Sequence, residues 1–391
     1  MAEDILRVEG LSTRFFTDSG QINAVSDLDL RIERGEIFGI VGESGSGKSV
    51  TARSIMDLIE SPGRITDGEI RYRDPDLAVG VSADFPDAVD GEFVDLRAVP
   101  ERIRRSLRGS AFSMIFQDAM SSFNPSITVG EQIAEAVEVQ RRASANPRST
   151  RARTQSTEYS LGSFALSTVL PSQKYVSEAS HDRAVELLEL VGIPDPTERV
   201  DEYPHQFSGG MLQRAMIAQA LAGEPDVLIA DEPTTALDVT IQAQILALLS
   251  ELQEETDMSV LLITHDLGVV ARMCERLGVM YAGEIVERGP LKDVFENAVH
   301  PYTQGLLDSI PDIDGETGRL EPIPGNVPSL LDHEMNERCY FADRCPKAMK
   351  ECLGKPPEFA VEGSRAHRTN CYLAETTYDP ERALPEGYFD E

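Results

Sequence analysis

The sequence predicts an α/β fold: a phosphate-binding loop at the end of a buried strand, antiparallel strands ahead of it, and a small cysteine-bearing module at the end. Three observations predict it. Residues 42–49, Gly42-Glu43-Ser44-Gly45-Ser46-Gly47-Lys48-Ser49, keep the spacing Gly, four residues, Gly-Lys-Ser between an apolar strand at 37–41 and a helical stretch at 50–60. Apolar strands at 227–231 and 260–264 alternate with helical patterns at 211–222 and 239–253, which implies parallel strands whose chemistry collects at their C-terminal ends. Four of the five cysteines crowd between Cys339 and Cys371, after Pro and Asp rise beyond Gly289.

In chain order, residues 5–8, 11–16 and 22–32 alternate apolar and polar side chains in short runs, the period of antiparallel strands, and 68–73 continue it. Residues 74–95, rich in Asp, Gly and Pro with weak periodicity, read as an acidic surface loop. Residues 112–116 form a strand candidate ending at Gln117, and helical spacing returns at 129–139 and 181–190. Between them, 141–178 carries Arg141, Arg142, Arg148, Arg151 and Arg153 in a Ser/Pro-rich setting. It reads as a loosely packed insertion or as a specific binding element, and is the one basic patch in an acidic chain. The expected domains are 1–289, with inserts at 74–95 and 141–178, and 290–391, with a softer break near Pro311.

At 391 residues and 41% hydrophobic, the chain can fill two or three domain cores. Asp and Glu number 67 against 36 Lys and Arg, a net charge of −31, and only six residues are lysine. This balance argues against a nucleic-acid-binding surface and against simple adhesion to anionic lipid. It suits a halophilic setting, because in molar salt the Debye length shrinks to about 3 Å and carboxylate repulsion is screened; an ordinary acidic protein is the alternative. Residues 1–5 lack the basic and apolar regions of a signal peptide, and no segment approaches the length of apolar run that crosses a membrane. The expectation is a cytosolic chain without its own span, whose cysteines serve as thiols or metal ligands rather than disulfides.

Each part of the loop has a physical task. Glycines let successive backbone N–H groups converge on phosphate oxygens, and the helix that follows adds its positive end. Lys48 reaches the β- and γ-phosphates, and Ser49 offers a hydroxyl to Mg²⁺. At the end of the strand at 227–231, Asp231 suits Mg²⁺ held through water, and Glu232 is placed to polarise an attacking water.

With these residues the chain resembles the ATP-binding-cassette ATPases. Phe207-Ser208-Gly209-Gly210-Met211-Leu212-Gln213 is similar to the family signature Leu-Ser-Gly-Gly-Gln, with Phe207 and Met211 as departures at its two ends. Ala236-Leu237-Asp238 resembles the D-loop, Thr264-His265-Asp266 the switch histidine, and Phe116-Gln117-Asp118 the Q-loop. Phe15 resembles the adenine-stacking aromatic, with Phe16 as its rival. The resemblance spans about residues 5–290 and keeps the family's motif order. It implies a mixed sheet core, an antiparallel β subdomain and a helical subdomain over about 118–224. It also implies that Ser208, Gly209 and Gly210 clasp the γ-phosphate held by another subunit, and that His265 stabilises that phosphate. Gln117 and Asp238 join the same nucleotide site, with Gln117 touching Mg²⁺ and sensing the phosphate. The cofactors implied are ATP and Mg²⁺.

Four longer stretches narrow the resemblance to the dipeptide, oligopeptide and nickel importer ATPases: 117–125, 203–211, 231–240 and His300-Pro301-Tyr302-Thr303, together with the tail 322–330. That family implies a peripheral ATPase on the cytoplasmic face of the membrane. Its implied partners are a second homologous ATPase in a heterodimer, two transmembrane permeases and, indirectly, an extracellular solute-binding protein. Peptide is the favoured cargo, with nickel, sugar or another solute as alternatives. A soluble cassette protein of DNA repair or translation would instead show a basic surface, a long coiled-coil insert or two tandem cassettes. A non-hydrolysing cassette would lack Glu232 or His265.

Cys339, Cys345, Cys352 and Cys371 are separated by five, six and eighteen residues, without paired Cys-x-x-Cys knuckles. Four soft donors suit an iron–sulfur cluster or zinc, and free or crosslinked thiols are the remaining alternative. Some dipeptide-type relatives carry a four-iron cluster on this tail, so the resemblance implies [4Fe-4S]. Cys274, on an apolar helical stretch, reads as core.

Overall fold

The computed structural model describes residues 3–145, 176–235, 237–309, 323–328, 330–331, 338–364, 366–385 and 388. Ala236 and most of the expected 141–178 insert lie outside them. Among the described residues the strands are, in order, β1 (Asp4–Thr17), β2 (Gly20–Glu33), β3 (Ile37–Val41), β4 (Gly63–Arg73), β5 (Val89–Asp90), β6 (Phe93–Asp95), β7 (Phe112–Ile115), β8 (Val227–Asp231), β9 (Ser259–Thr264), β10 (Arg276–Tyr281), β11 (Glu284–Pro290), β12 (Phe359–Ala360) and β13 (Arg368–Thr369). The chain divides into two compact units. One comprises Met1–Val81, Val89–Asp95 and Leu261–Glu391; the other comprises Ser82–Ala88 and Leu96–Val260.

The first unit holds an antiparallel sheet ordered β2-β1-β4-β6-β5. The runs at 5–8 and 11–16 form one strand, because the break between them is a register shift at Gly10. Gly10 sits at φ +61°, and a Cβ on the facing Gly68 would come within 2.5 Å of the Gly10 carbonyl, so the two backbones approach too closely for side chains. The acidic loop expected at 74–95 is corrected: it holds the helix Pro75–Val81 and strands β5 and β6. Val94, fully buried, pairs with Tyr72 of β4, and the Arg7 guanidinium lies 4.1 Å from the Phe93 ring centre. Those partners are distant in sequence, so local periodicity could not announce them.

The same unit carries a mixed sheet. All five residues of β3 are buried; β3 runs parallel to β10, which pairs antiparallel with β11, and β13 and β12 extend that edge. Chain beyond residue 290 folds back onto β11 through Glu287. This buried carboxylate accepts hydrogen bonds from the N–H groups of Val299 (2.8 Å) and His300 (3.0 Å) and contacts His367 Nε2 at 2.8 Å. Cys274 is buried, at the end of the helix Leu267–Met273, and burial pushes its thiol well up. A Cβ on Gly39 would lie 2.9 Å from its sulfur, which is how that helix seats on β3.

In the second unit β7 and β8 run parallel, with Ile115 opposite Ala230. All regular structure between residues 118 and 224 is helical among the described residues, chiefly Val129–Ala145, Glu178–Leu190 and Gly209–Ala220. Glu138, almost wholly buried, joins the first two by accepting from the hydroxyls of Ser177 (2.7 Å) and Ser180 (2.5 Å).

Candidate functional site

In the first unit, β3 delivers the chain to residues 42–49, and Gly47 precedes the helix Lys48–Ile55 with φ +106°. This helix stops short of the end of the stretch 50–60; it ends at Ile55 with Met56 as its C-cap, and Asp57 turns left-handed at φ 53°. Two glycines are required by what surrounds them. A Cβ on Gly42 would lie 2.1 Å from the Met280 carbonyl oxygen, and one on Gly47 2.3 Å from that of Ala24. Gly45 has nothing within 4 Å of its Cβ position, and Ser44 beside it is exposed, so this edge of the loop stays open to a ligand. The Lys48 side chain is buried and doubles back, its Nζ donating to the carbonyls of Gly42 (2.8 Å) and Glu43 (2.9 Å). The Ser46 hydroxyl is buried without a hydrogen-bond partner among the described residues.

Glu43 is held by residues that local sequence reasoning did not place here. Its N–H donates to the Tyr302 hydroxyl at 2.9 Å, and its carboxylate receives the Arg344 guanidinium at 2.8 and 3.1 Å. Burial works against the Arg344 charge, but its hydrogen bonds to Glu43 and Tyr281 outweigh that and hold it cationic. Burial likewise pushes the Tyr281 phenol up to about 12.

His265 follows β9 and is exposed. Asp266 fixes the turn by capping the next helix: its carboxylate accepts from the N–H groups of Gly268 (2.8 Å) and Val269 (3.3 Å). Phe15 is half-buried over Gly63, its opposite in β4, where a Cβ would come 2.6 Å from the ring. Phe16 is 44% exposed, with Arg64 5.5 Å from its ring centre.

In the second unit, parallel pairing puts Gln117, beyond β7, beside the acids that end β8. Asp231 is 3% exposed. Glu232 adopts a left-handed backbone, φ 49°, and its Oε2 accepts two hydrogen bonds, from Gln117 Nε2 at 3.0 Å and from Thr235 Oγ1 at 2.8 Å. Thr235 lay inside a recognised stretch but had no assigned role. Ser208 and Gly209 are exposed at the start of the helix Gly209–Ala220, which Ser208 caps by accepting from Met211 N–H at 3.3 Å. A Cβ on Gly210 would lie 2.7 Å from Ile241, so this glycine lets two helices meet. Asp238 caps the helix Val239–Thr256 through the N–H groups of Thr240 and Ile241, both at 3.0 Å.

Cys339, Cys345, Cys352 and Cys371 lie in one loop-rich module, all as free thiols. Cys339 and Cys352 pack with Met349, and burial pushes the thiols of Cys339, Cys345 and Cys371 up to about 12. The donor chemistry suits a soft metal, yet among the described residues no three His, Cys, Asp or Glu side chains form a group that holds a metal ion. The thiols feel one another electrostatically, Cys339 with Cys352 and Cys371, and Cys345 with Cys339 and Cys352, but the expectation of [4Fe-4S] gains no support from a metal-holding group.

Comparison with known proteins agrees with the loop and strand geometry. Residues 25–235 match the family model described as ABC transporter, and residues 286–352 match that of the oligopeptide/dipeptide transporter C-terminal region. The chain is 43% identical to the dipeptide transport ATP-binding protein DppD of Bacillus subtilis over 372 residues, covering 95% of each. It is 42% identical to the oligopeptide transport ATP-binding protein AppD of the same organism, covering 95% of this chain and 97% of that one. Among solved structures, the dimeric ABC transporter cassette MJ0796 matches at a TM-score of 0.54 and 24% identity, covering 73% of this chain and 98% of that one, a likeness of fold. Among the described residues no helix is long and apolar enough to cross a membrane. The chain therefore belongs to the ABC transporter ATPases, and within them to the ATP-binding proteins that carry the oligopeptide/dipeptide transporter C-terminal region.

Proposed function

We propose that this chain is the ATP-hydrolysing subunit of an importer for dipeptides or oligopeptides, working at the cytoplasmic face of the membrane. It would pair with a second homologous ATPase beneath two permeases fed by an external binding protein. The observation that carries the catalytic part is the Glu232 carboxylate, ordered by Gln117 and Thr235 directly after the buried Asp231. The peptide part rests on the C-terminal region and on relatives named for dipeptide and oligopeptide transport.

In this reading the amides of residues 44–49 cradle the phosphates, and Lys48 leaves its loop carbonyls for the β- and γ-oxygens. Ser49, Gln117 and Asp231 would hold Mg²⁺, which would supply positive charge to offset that of the phosphates. Glu232 takes a proton from water as the water oxygen bonds to the γ-phosphorus; the bond to the bridging oxygen breaks, and ADP and phosphate leave. His265 steadies the γ-phosphate, Phe15 stacks on adenine, and Asp238 orders the chain beside the site. Ser208, Gly209 and Gly210 meet the γ-phosphate bound by the partner ATPase, which the exposure of Ser208 and Gly209 permits. ATP then closes the pair and hydrolysis releases it.

Glu232→Gln keeps the side-chain shape and removes the base. Hydrolysis should fall by about 10²- to 10⁴-fold while ATP binding holds, and the chain should accumulate as an ATP-bound dimer. Unchanged turnover in the assembled transporter overturns the assignment. For the cysteine module the finer reading is a four-iron cluster, supported by four free thiols that lie in one module within electrostatic reach of one another. Anaerobic purification with iron and sulfide analysis tests it, and zinc without iron, or no metal, refutes it. A halophilic setting, supported by the net charge of −31, completes the reading.

A further inference from the structure

Glu43 is an acidic residue inside a loop that must receive phosphate, and each of its polar groups is engaged. Its carbonyl accepts from Lys48 Nζ at 2.9 Å and from Ser46 N–H at 3.2 Å. Its N–H is committed to Tyr302 and its carboxylate to the two Nη atoms of Arg344. The holders are themselves held. Arg344 donates through Nε to the Pro324 carbonyl at 2.7 Å, and its side chain is only 6% exposed. Tyr302 donates its N–H to His300 Nδ1 at 3.1 Å, and its ring lies 4.6 Å from that of Tyr281 and 5.4 Å from that of Phe341.

Two physical consequences follow. A guanidinium fork fixes a carboxylate in direction as well as distance, so Arg344 and Tyr302 together orient the Glu43 peptide whose carbonyl seats Lys48. The ion pair also cancels a negative charge that would otherwise repel an incoming phosphate at close range, where little water screens it.

We propose that Arg344 and Tyr302 are positioning residues of the nucleotide site, and that through Glu43 the chain beyond residue 290 sets the affinity of the loop for ATP. This rests on the reading of residues 42–49 as the ATP phosphate site, and deepens it by making the C-terminal region part of that site's control.

Charge gives the test its direction. Arg344→Gln leaves Glu43 uncompensated and should weaken ATP binding to the full-length chain roughly tenfold or more, raising KM with a smaller change in kcat. Glu43→Gln removes the charge that needs compensating, so Glu43→Gln/Arg344→Gln should recover most of the lost affinity. A purely structural Arg344 would not be rescued in this way. ATP affinity is read by calorimetry on variants whose melting shows them folded. Arg344→Gln binding ATP as the native chain does, or a double variant as weak as Arg344→Gln, overturns the proposal. If Arg344→Gln does not fold, Tyr302→Phe decides, since it deletes only the oxygen that accepts from Glu43; native affinity there is equally fatal. Lys48→Ala separates the two readings: if it binds ATP as tightly as the native chain, the phosphate-site assignment itself fails. If Lys48→Ala loses binding while Arg344→Gln keeps it, only the positioning role fails.

Discussion

Thr235→Val is the sharpest probe of how Glu232 is ordered. Valine matches threonine in shape, so the substitution removes one hydroxyl and little else. The bond lost is the 2.8 Å donation to Glu232 Oε2, while Gln117 Nε2 still donates to that oxygen at 3.0 Å. Hydrogen bonds to charged groups are worth about 1.5–3 kcal/mol. At about 1.4 kcal/mol for each factor of ten, full loss in the transition state would slow hydrolysis by roughly 10- to 150-fold. Because Gln117 still restrains the carboxylate, and because the Thr235 N–H turns back to the Glu232 carbonyl at 3.2 Å, the lower part of that range is expected. Phosphate release by the assembled transporter measures kcat, and a fluorescent ATP analogue measures binding, which should change little. Thr235→Ser should return kcat to within about threefold of native. A folded Thr235→Val chain with native kcat would refute the claim that this hydroxyl orders the base.

Two further outcomes are expected. Burial holds the folded His300 imidazole down at about 4, against 6.5 ordinarily, with Glu287 opposing. The folded state thus binds fewer protons, so the contribution of His300 is complete above about 6.5 and is lost as pH falls toward 4. Melting at pH 7.5 and 5 should show this acid loss in the native chain and a smaller one in His300→Asn, which retains a cap acceptor. In the charge-rich surface, lowering KCl from about 2 M to about 0.1 M unscreens carboxylate repulsion, and melting should fall by several degrees; an unmoved midpoint would remove the halophilic reading.

Much of the fold was legible because its signals are local. The alternation of residues 22–32 and the apolar run 227–231 act within a few residues of themselves. The error at 74–95 has the opposite origin: β6 exists because Val94 finds Tyr72 across the sheet, and nothing near Val94 announces Tyr72. The cysteine module is a different case: composition reveals four soft donors and the fold gathers them in one module, but among the described residues they form no group that holds a metal ion.

By itself the sequence determined the glycine-rich loop at 42–49, the Asp231-Glu232 strand end, the order of motifs that identifies the family, and a net charge of −31 that argues against a nucleic-acid-binding surface. These properties need only neighbours in the chain or a sum over it. Only the tertiary structure decided that Thr235 and Gln117 share one oxygen of Glu232, and that Arg344, 301 residues from Glu43, grips the phosphate loop. Such pairs are set by how strands and returning segments pack, and a hydrogen bond between distant residues leaves no periodic trace in the sequence that makes it.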